Sequence, residues 1–126
     1  MTKTSAPTKV NLDTAFAKID QPWQPHIAGE INGIQVKLAK FDGEFIWHHH
    51  AHEDEMFLVV KGRLLMKLRD GDIELHPGEF LVVPHGVEHC PVGHDDCQVL
   101  MVEPASTLNT GNVENTRTVR DLKKIE

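Results

Sequence analysis

Between Ile27 and Glu103 the chain alternates short apolar runs with turn residues, and the runs repeat with a period near two rather than 3.6. In Arg63 to Arg69, Leu64, Met66 and Leu68 are apolar while Arg63, Lys67 and Arg69 are charged, so one face of this strand should enter a core and the other meet water. Strands are predicted at about Ile34 to Phe41, Phe45 to His50, Met56 to Val60, Arg63 to Arg69, Ile73 to Leu75, Phe80 to Val83, Val87 to Cys90 and Gln98 to Glu103. Asn32-Gly33 and Asp70-Gly71 are hairpin dipeptides, since both supply the positive φ that tight turns demand. Further turns are expected at Asp42-Gly43, Lys61-Gly62, Pro77-Gly78, His85-Gly86 and Val92-Gly93. Short strands at this spacing predict an all-β sandwich or barrel.

The two ends read differently. Residues 1 to 9 are polar and predict a loosely attached arm. Asn11 to Ile19 predicts one short helix with Leu12, Phe16 and Ile19 on a single face and Pro22 ending it, and Thr118 to Ile125 predicts a final helical turn. The expected organisation is an arm and helix over 1–26, one β-barrel domain over 27–106 and an extension over 107–126.

Composition bounds the function more than the fold. A chain of 126 residues with 40% hydrophobic and 25% charged residues has the makeup of one soluble domain. Its longest apolar runs, Met56 to Val60 and Phe80 to Val83, fall far short of the roughly 18 residues of a membrane span, so no membrane partner is expected. The N-terminus lacks the apolar region of a secretory signal, which predicts a cytoplasmic location. A net charge of -6 without a basic patch argues against nucleic acid. Cys90 and Cys97 have neither disulfide-scaffold nor zinc-knuckle spacing and are expected as free thiols.

The nine histidines are the real departure from an ordinary domain. Strand parity puts His48 and His50 on one face, with Trp47 and His49 on the other, and it groups Glu55 with Phe57 and Val59. His89 sits in a distant segment, GEFLVVPHGVEHC. Neutral imidazoles with a carboxylate form a mixed nitrogen and oxygen donor set that suits first-row transition metals and leaves positions open for chemistry. A rolled sheet can bring such groups together.

These segments resemble the two motifs of the cupin superfamily. The first is a glycine, two histidines one residue apart, a glutamate and a closing glycine. Gly43, His48, His50, Glu55 and Gly62 follow it, with four residues between His50 and Glu55 and six between Glu55 and Gly62. It departs once: four residues, not five, separate Gly43 from His48. The second motif is matched by Gly78, Pro84, Gly86 and His89, with Gly93 where the family carries asparagine, a loss expected to touch turn geometry more than metal binding. Fifteen residues separate the two motifs. The resemblance implies a double-stranded β-helix, or jelly-roll, barrel, a homodimer, and one divalent metal ion per chain held by His48, His50, Glu55 and His89.

Other registers fit less well. His50-Ala51-His52-Glu53-Asp54 begins like a metallo-β-lactamase motif, but position 55 is Glu and the chain is too short for that fold. No H-E-x-x-H helix is present. His49, His52 and His85 read as surface or rim residues, Cys90 points away from the metal by parity, and Met66, Met101 and Phe57 read as core before pocket. Metal identity stays open among manganese, iron, nickel and zinc, because affinity at such sites rises along a fixed series toward copper and the ion held therefore depends on availability. Occupancy is expected to fall below about pH 6, since ligation needs neutral imidazoles. The chain has no tyrosine, and the remaining proton carriers, His52, His85, Glu53 or a metal-bound hydroxide, name no general base. Two functions follow from these expectations: a metal-dependent enzyme acting on an oxygen-rich small molecule by isomerase, lyase or dioxygenase chemistry, and a non-catalytic, metal-stabilised protein that binds or senses a small molecule.

Overall fold

Alternation becomes strand wherever both neighbours of a run can pair, and the computed structural model, which describes residues 6–125, contains one small helix and seven strands. The helix α1 spans Leu12–Ala17. The strands are β1 (His26–Ile31), β2 (Ile34–Glu44), β3 (Glu55–Leu68), β4 (Ile73–Leu75), β5 (Phe80–Val83), β6 (His89–Pro104) and β7 (Lys123–Lys124). The sheet order is β4-β3-β6-β2-β1-β7, with β5 paired to β3. The stretch between β2 and β3 returns along β6 and its approach: Phe45 N–H donates to the Pro91 carbonyl at 2.9 Å, His48 and His89 exchange backbone bonds at 3.0 and 2.9 Å, and Gly86 N–H donates to His50 at 2.7 Å. These bonds roll the sheet into the jelly-roll barrel. The interior holds Ala39, Phe41, Phe57, Val59, Val99 and Met101, all on inward-facing strand positions.

The helix forms because Asn11 caps it, its side chain accepting from Thr14 N–H at 3.0 Å. Phe16 and Ile19 are buried against Leu38 on the outer face of β2. The first five residues of the expected arm lie outside the described residues, and residues 6–9 are exposed. Asn32 and Gly33 take φ of 49° and 80°, the mirror-image turn that joins β1 to β2. Cys90 and Cys97 are free and buried. Among the described residues no helix is long and apolar enough to cross a membrane.

Five expectations change, the first at Asp42-Gly43, which does not reverse the chain but lies inside β2 at a register shift between Phe41 and Gly43. Phe45 to His50 is extended but makes a single bridge, His48 to His89, rather than a ladder. Lys61-Gly62 does not reverse the chain, because β3 runs through it with register shifts either side of Lys61. Gly62 has φ 78°, and a Cβ there would lie 2.6 Å from the Asp95 carbonyl oxygen, so the residue marks a bulge pressed against β6. Val92-Gly93 likewise lies inside β6, where Gly93 pairs with both Gly43 and Leu64. The C-terminal stretch forms no helical turn: Lys123 and Lys124 pair in parallel with His26 and Ile27, and Ile125 N–H donates to Ile27 at 2.8 Å. The open edge of β1 offers unpaired backbone groups, and satisfying them outweighs the weak helical preference of that stretch.

Gly93 carries a testable consequence. A Cβ at this position would lie 2.2 Å from the Phe41 carbonyl oxygen, so the strands come this close only because the side chain is absent. Restoring the family's asparagine by Gly93→Asn is expected to destabilise the chain by about 3 kcal/mol, the upper range for overpacking. Urea unfolding checks it, and an unchanged midpoint would contradict the close-approach argument.

Candidate metal centre

Each candidate ligand leaves the backbone where an element begins. His48 and His50 come from the single-bridge segment before β3, Glu55 is the first residue of β3, and His89 is the first residue of β6. Two-residue parity turns His48 and His50 inward, and the His48 to His89 bridge sets the third imidazole beside them. All four side chains are buried, and their ligand atoms lie within 4.8 Å of one another. His50 Nε2 is 2.9 Å and His89 Nε2 is 3.2 Å from Glu55 Oε1.

Two of the three second nitrogens are already committed. His48 Nδ1 lies 3.0 Å from the Ile46 carbonyl and His89 Nδ1 2.9 Å from the Val87 carbonyl. A carbonyl only accepts, so each Nδ1 carries the proton, and in the neutral ring Nε2 presents a lone pair to the centre. His50 Nε2, Glu55 Oε1 and His89 Nε2 are all buried, and none has a hydrogen bond of acceptable direction. The short contacts resemble ion pairs, but their geometry fits donors converging on a common point. Two donors at right angles, each about 2.1 Å from an ion, stand about 3 Å apart, which matches the observed contacts. The donor set therefore fits a divalent cation.

Electrostatics agree. Burial lowers the His48 pKa to about 4, helped by the neighbouring His89 ring. Burial pushes the Glu55 carboxyl up, yet the His50 and His89 rings, wherever they carry a proton toward it, outweigh burial and hold it well below the usual range. A proton or a metal ion between these atoms meets the same need.

A cavity of about 30 Å³, room for about two waters, opens onto His48 and Glu55. Its walls include Trp23, Phe41, Phe45, Phe57 and Met101. Trp23 stacks on Phe41 and on Phe45 with ring centroids 4.5 Å apart in each case. On the other side of Glu55, Lys37 and Glu103 form an ion pair at 2.8 Å, with side chains only 2% and 1% exposed.

The Cupin domain family matches residues 35–103, more than half of the chain and all four candidate ligands. The chain belongs to the cupin family. The crystal structure of a cupin-2 domain containing protein from Shewanella frigidimarina is 42% identical, with a TM-score of 0.74 over 75% of this cupin and 93% of that chain. The uncharacterized protein YdbB of Bacillus subtilis is 41% identical over 61 residues, 48% of this cupin and 54% of YdbB. An acireductone dioxygenase of Bacillus cytotoxicus is 35% identical over 63 residues, 46% of this cupin and 37% of the dioxygenase. The cupin thus spans about half or less of the length of these two curated relatives.

His49, His52 and His85 lie outside the cavity lining. His52 and His85 are exposed and His49 is half-buried. The His85 backbone N–H and ring Nδ1 both lie 2.8 Å from Asp54 Oδ1, and the backbone bond first, then the ring, holds that carboxyl below its ordinary range. Glu53 accepts from the Ser106 hydroxyl at 2.8 Å. None of His52, His85 or Glu53 lines the cavity. Phe57 and Met101 belong to core and cavity wall at once, and Met66 to the core cluster alone.

Trp23, Lys37, Glu103 and Asn109 were not singled out by the sequence reading. A signal existed for two of them: parity puts Lys37 with Ala39 and Phe41, and Glu103 with Val99 and Met101, on inward positions of strands that prove adjacent. Trp23 and Asn109 reach the cavity from outside the strands and leave no periodic trace.

The His48 shift sets a pH dependence. The unfolded chain binds a proton at His48 near pH 6.5 and the folded chain only near about 4. Between those values the unfolded state holds more protons, so stability is fully present above 6.5 and falls as pH drops toward 4. The metal-free chain is expected to lose about 3 kcal/mol at most from this group across that window, measured by urea unfolding at pH 7 and pH 4.5. A flat profile would contradict the buried, neutral His48. It also follows that His48 of the folded chain stays neutral at pH 5.

Proposed function

We propose that this cupin is a divalent-metal-dependent enzyme that binds a small, oxygen-bearing molecule at the centre formed by His48, His50, Glu55 and His89. The observation that carries the reading is the buried set of unpartnered donor atoms, His50 Nε2, Glu55 Oε1 and His89 Nε2, beside a cavity that Glu55 and His48 line. Manganese, iron, nickel or zinc held there would supply Lewis-acid polarisation and, for iron, access to oxygen chemistry. The chain's own residues do the rest. The Ile46 and Val87 carbonyls lock the His48 and His89 rings with Nε2 inward. The aromatic wall excludes water from the reacting end of the ligand. Dioxygenase chemistry draws support from the similarity to acireductone dioxygenase, which covers 46% of this chain and 37% of that longer protein.

A second reading, metal-stabilised binding or sensing without turnover, is favoured by one observation: no proton carrier among His52, His85 and Glu53 lines the cavity. The two separate on turnover. Protein loaded with each metal in turn is assayed against a panel of oxo acids, hydroxy acids, sugars and dicarbonyls. Turnover that disappears in His50→Ala while the fold persists supports the enzyme. A panel without turnover for any metal supports the binding protein.

A further inference from the structure

We infer that the ligand of this centre is a small chelator with two neighbouring oxygens at one end and a flat, apolar body, such as a 1,3-dicarbonyl, and that polyols and polyhydroxy acids are rejected. The inference rests on the metal-binding reading and narrows it. Four protein donors leave a divalent ion with positions to fill, so the oxygens go to the metal and everything else meets the wall. That wall is Trp23, Phe41, Phe45, Phe57 and Met101.

The polar groups near it are already engaged. Trp23 Nε1–H donates to the Asp42 carbonyl at 3.1 Å. The Asn109 side chain donates to the Arg117 carbonyl at 2.8 Å and accepts from Val119 N–H at 2.9 Å. Beyond the second N–H of the Asn109 amide, a hydroxyl carried into this space leaves water and finds no partner, which weakens binding by roughly tenfold for each one stranded. A flat apolar body instead meets carbon on Trp23, Phe41, Phe45 and Phe57, which line the cavity.

The selectivity is a property of this chain rather than of the shared barrel. Trp23 and Asn109 both fall outside the matched family region of residues 35–103. Asn109 belongs to a strap that is pinned to the barrel beside the cavity. Asn112 bonds His49 in both directions, at 2.9 and 3.1 Å, and Arg117 donates to the Glu44 carbonyl at 3.0 Å. A cavity of about 30 Å³ holds about two waters, so a ligand of six or so heavy atoms also requires this strap to shift outward.

The test uses zinc-loaded protein, which keeps oxidation out of the readout, titrated calorimetrically with acetylacetone and with glycerate. Metal content is measured before and after, and each affinity is taken relative to that chelator's affinity for free zinc. Acetylacetone is expected to exceed glycerate by at least about tenfold on this scale. Met101→Gln, which gives the wall a free donor and acceptor, is expected to narrow the ratio. Equal or tighter glycerate binding on metal-filled protein overturns the inference and leaves the metal centre standing. A chain that takes up no zinc overturns both.

Discussion

Replacing Lys37 with methionine is expected to lower the unfolding free energy by about 3 kcal/mol, at the low end of what breaking a buried ion pair costs. Lys37 and Glu103 meet at 2.8 Å in the barrel interior, and the ammonium also lies 3.5 Å from the Thr107 carbonyl. Without Lys37 the Glu103 carboxyl has no counter-charge and no water. The cost stays near the low end because burial, and then the neighbouring Glu55 charge, already push the Glu103 carboxyl well above the ordinary range against the pull of Lys37, so it can escape by taking up a proton. The paired change Lys37→Met with Glu103→Leu is expected to recover most of the loss, because it removes both charges rather than stranding one. Urea unfolding of the metal-free chain at pH 7 measures all three. A double variant as unstable as the single one would show that packing, not charge, is lost.

Glu55→Gln is expected to move stability and metal binding in opposite directions. In the metal-free chain the carboxylate oxygen stands 2.9 and 3.2 Å from two imidazole nitrogens with no hydrogen bond among them. An amide of the same shape can turn its N–H toward those lone pairs, and one good buried hydrogen bond is worth about 1 kcal/mol. The same change removes the only anionic donor, so metal affinity should fall by more than about a hundredfold, beyond the loss typical of an outer-sphere partner. Wild-type protein at a hundred times its dissociation constant for metal gains about 2.7 kcal/mol, while the variant at the same concentration gains less than about 0.4 kcal/mol. Thermal unfolding with and without metal reads both effects. A metal-free Glu55→Gln chain less stable than wild type would mean that the histidines donate to the carboxylate and that no cation is needed.

The grouping of the four side chains was legible because it rests on short-range rules. Parity alone turns His48 and His50 to one side, and motif spacing adds Glu55 and His89, all four of which converge. Turn chemistry was legible only in part. Glycine announces a positive φ at Gly62 but does not say whether the chain reverses, and here the Asp95 carbonyl across the strand pair decides for a bulge. Gly93 carries no φ requirement: it is needed by Phe41 on another strand, a contact that local sequence does not reveal. Strand β7 is fixed by the free edge of β1 nearly a hundred residues away, so propensity at Lys123 and Lys124 carried no signal of it. The Lys37 and Glu103 pair needed the β2 to β6 register, in which Gln35 lies opposite Glu103 and Lys37 opposite Met101, before two inward charges could be seen as partners.

The central claim is that three imidazoles and one carboxylate hold a single cation, and X-ray absorption at the metal edge tests it most directly. Protein refolded with manganese, iron, nickel and zinc present should carry one ion per chain, surrounded by imidazole nitrogens and carboxylate oxygen at about 2.0 to 2.2 Å, and without sulfur. A chain that folds and stays empty, or an ion whose surroundings lack imidazole, would contradict it.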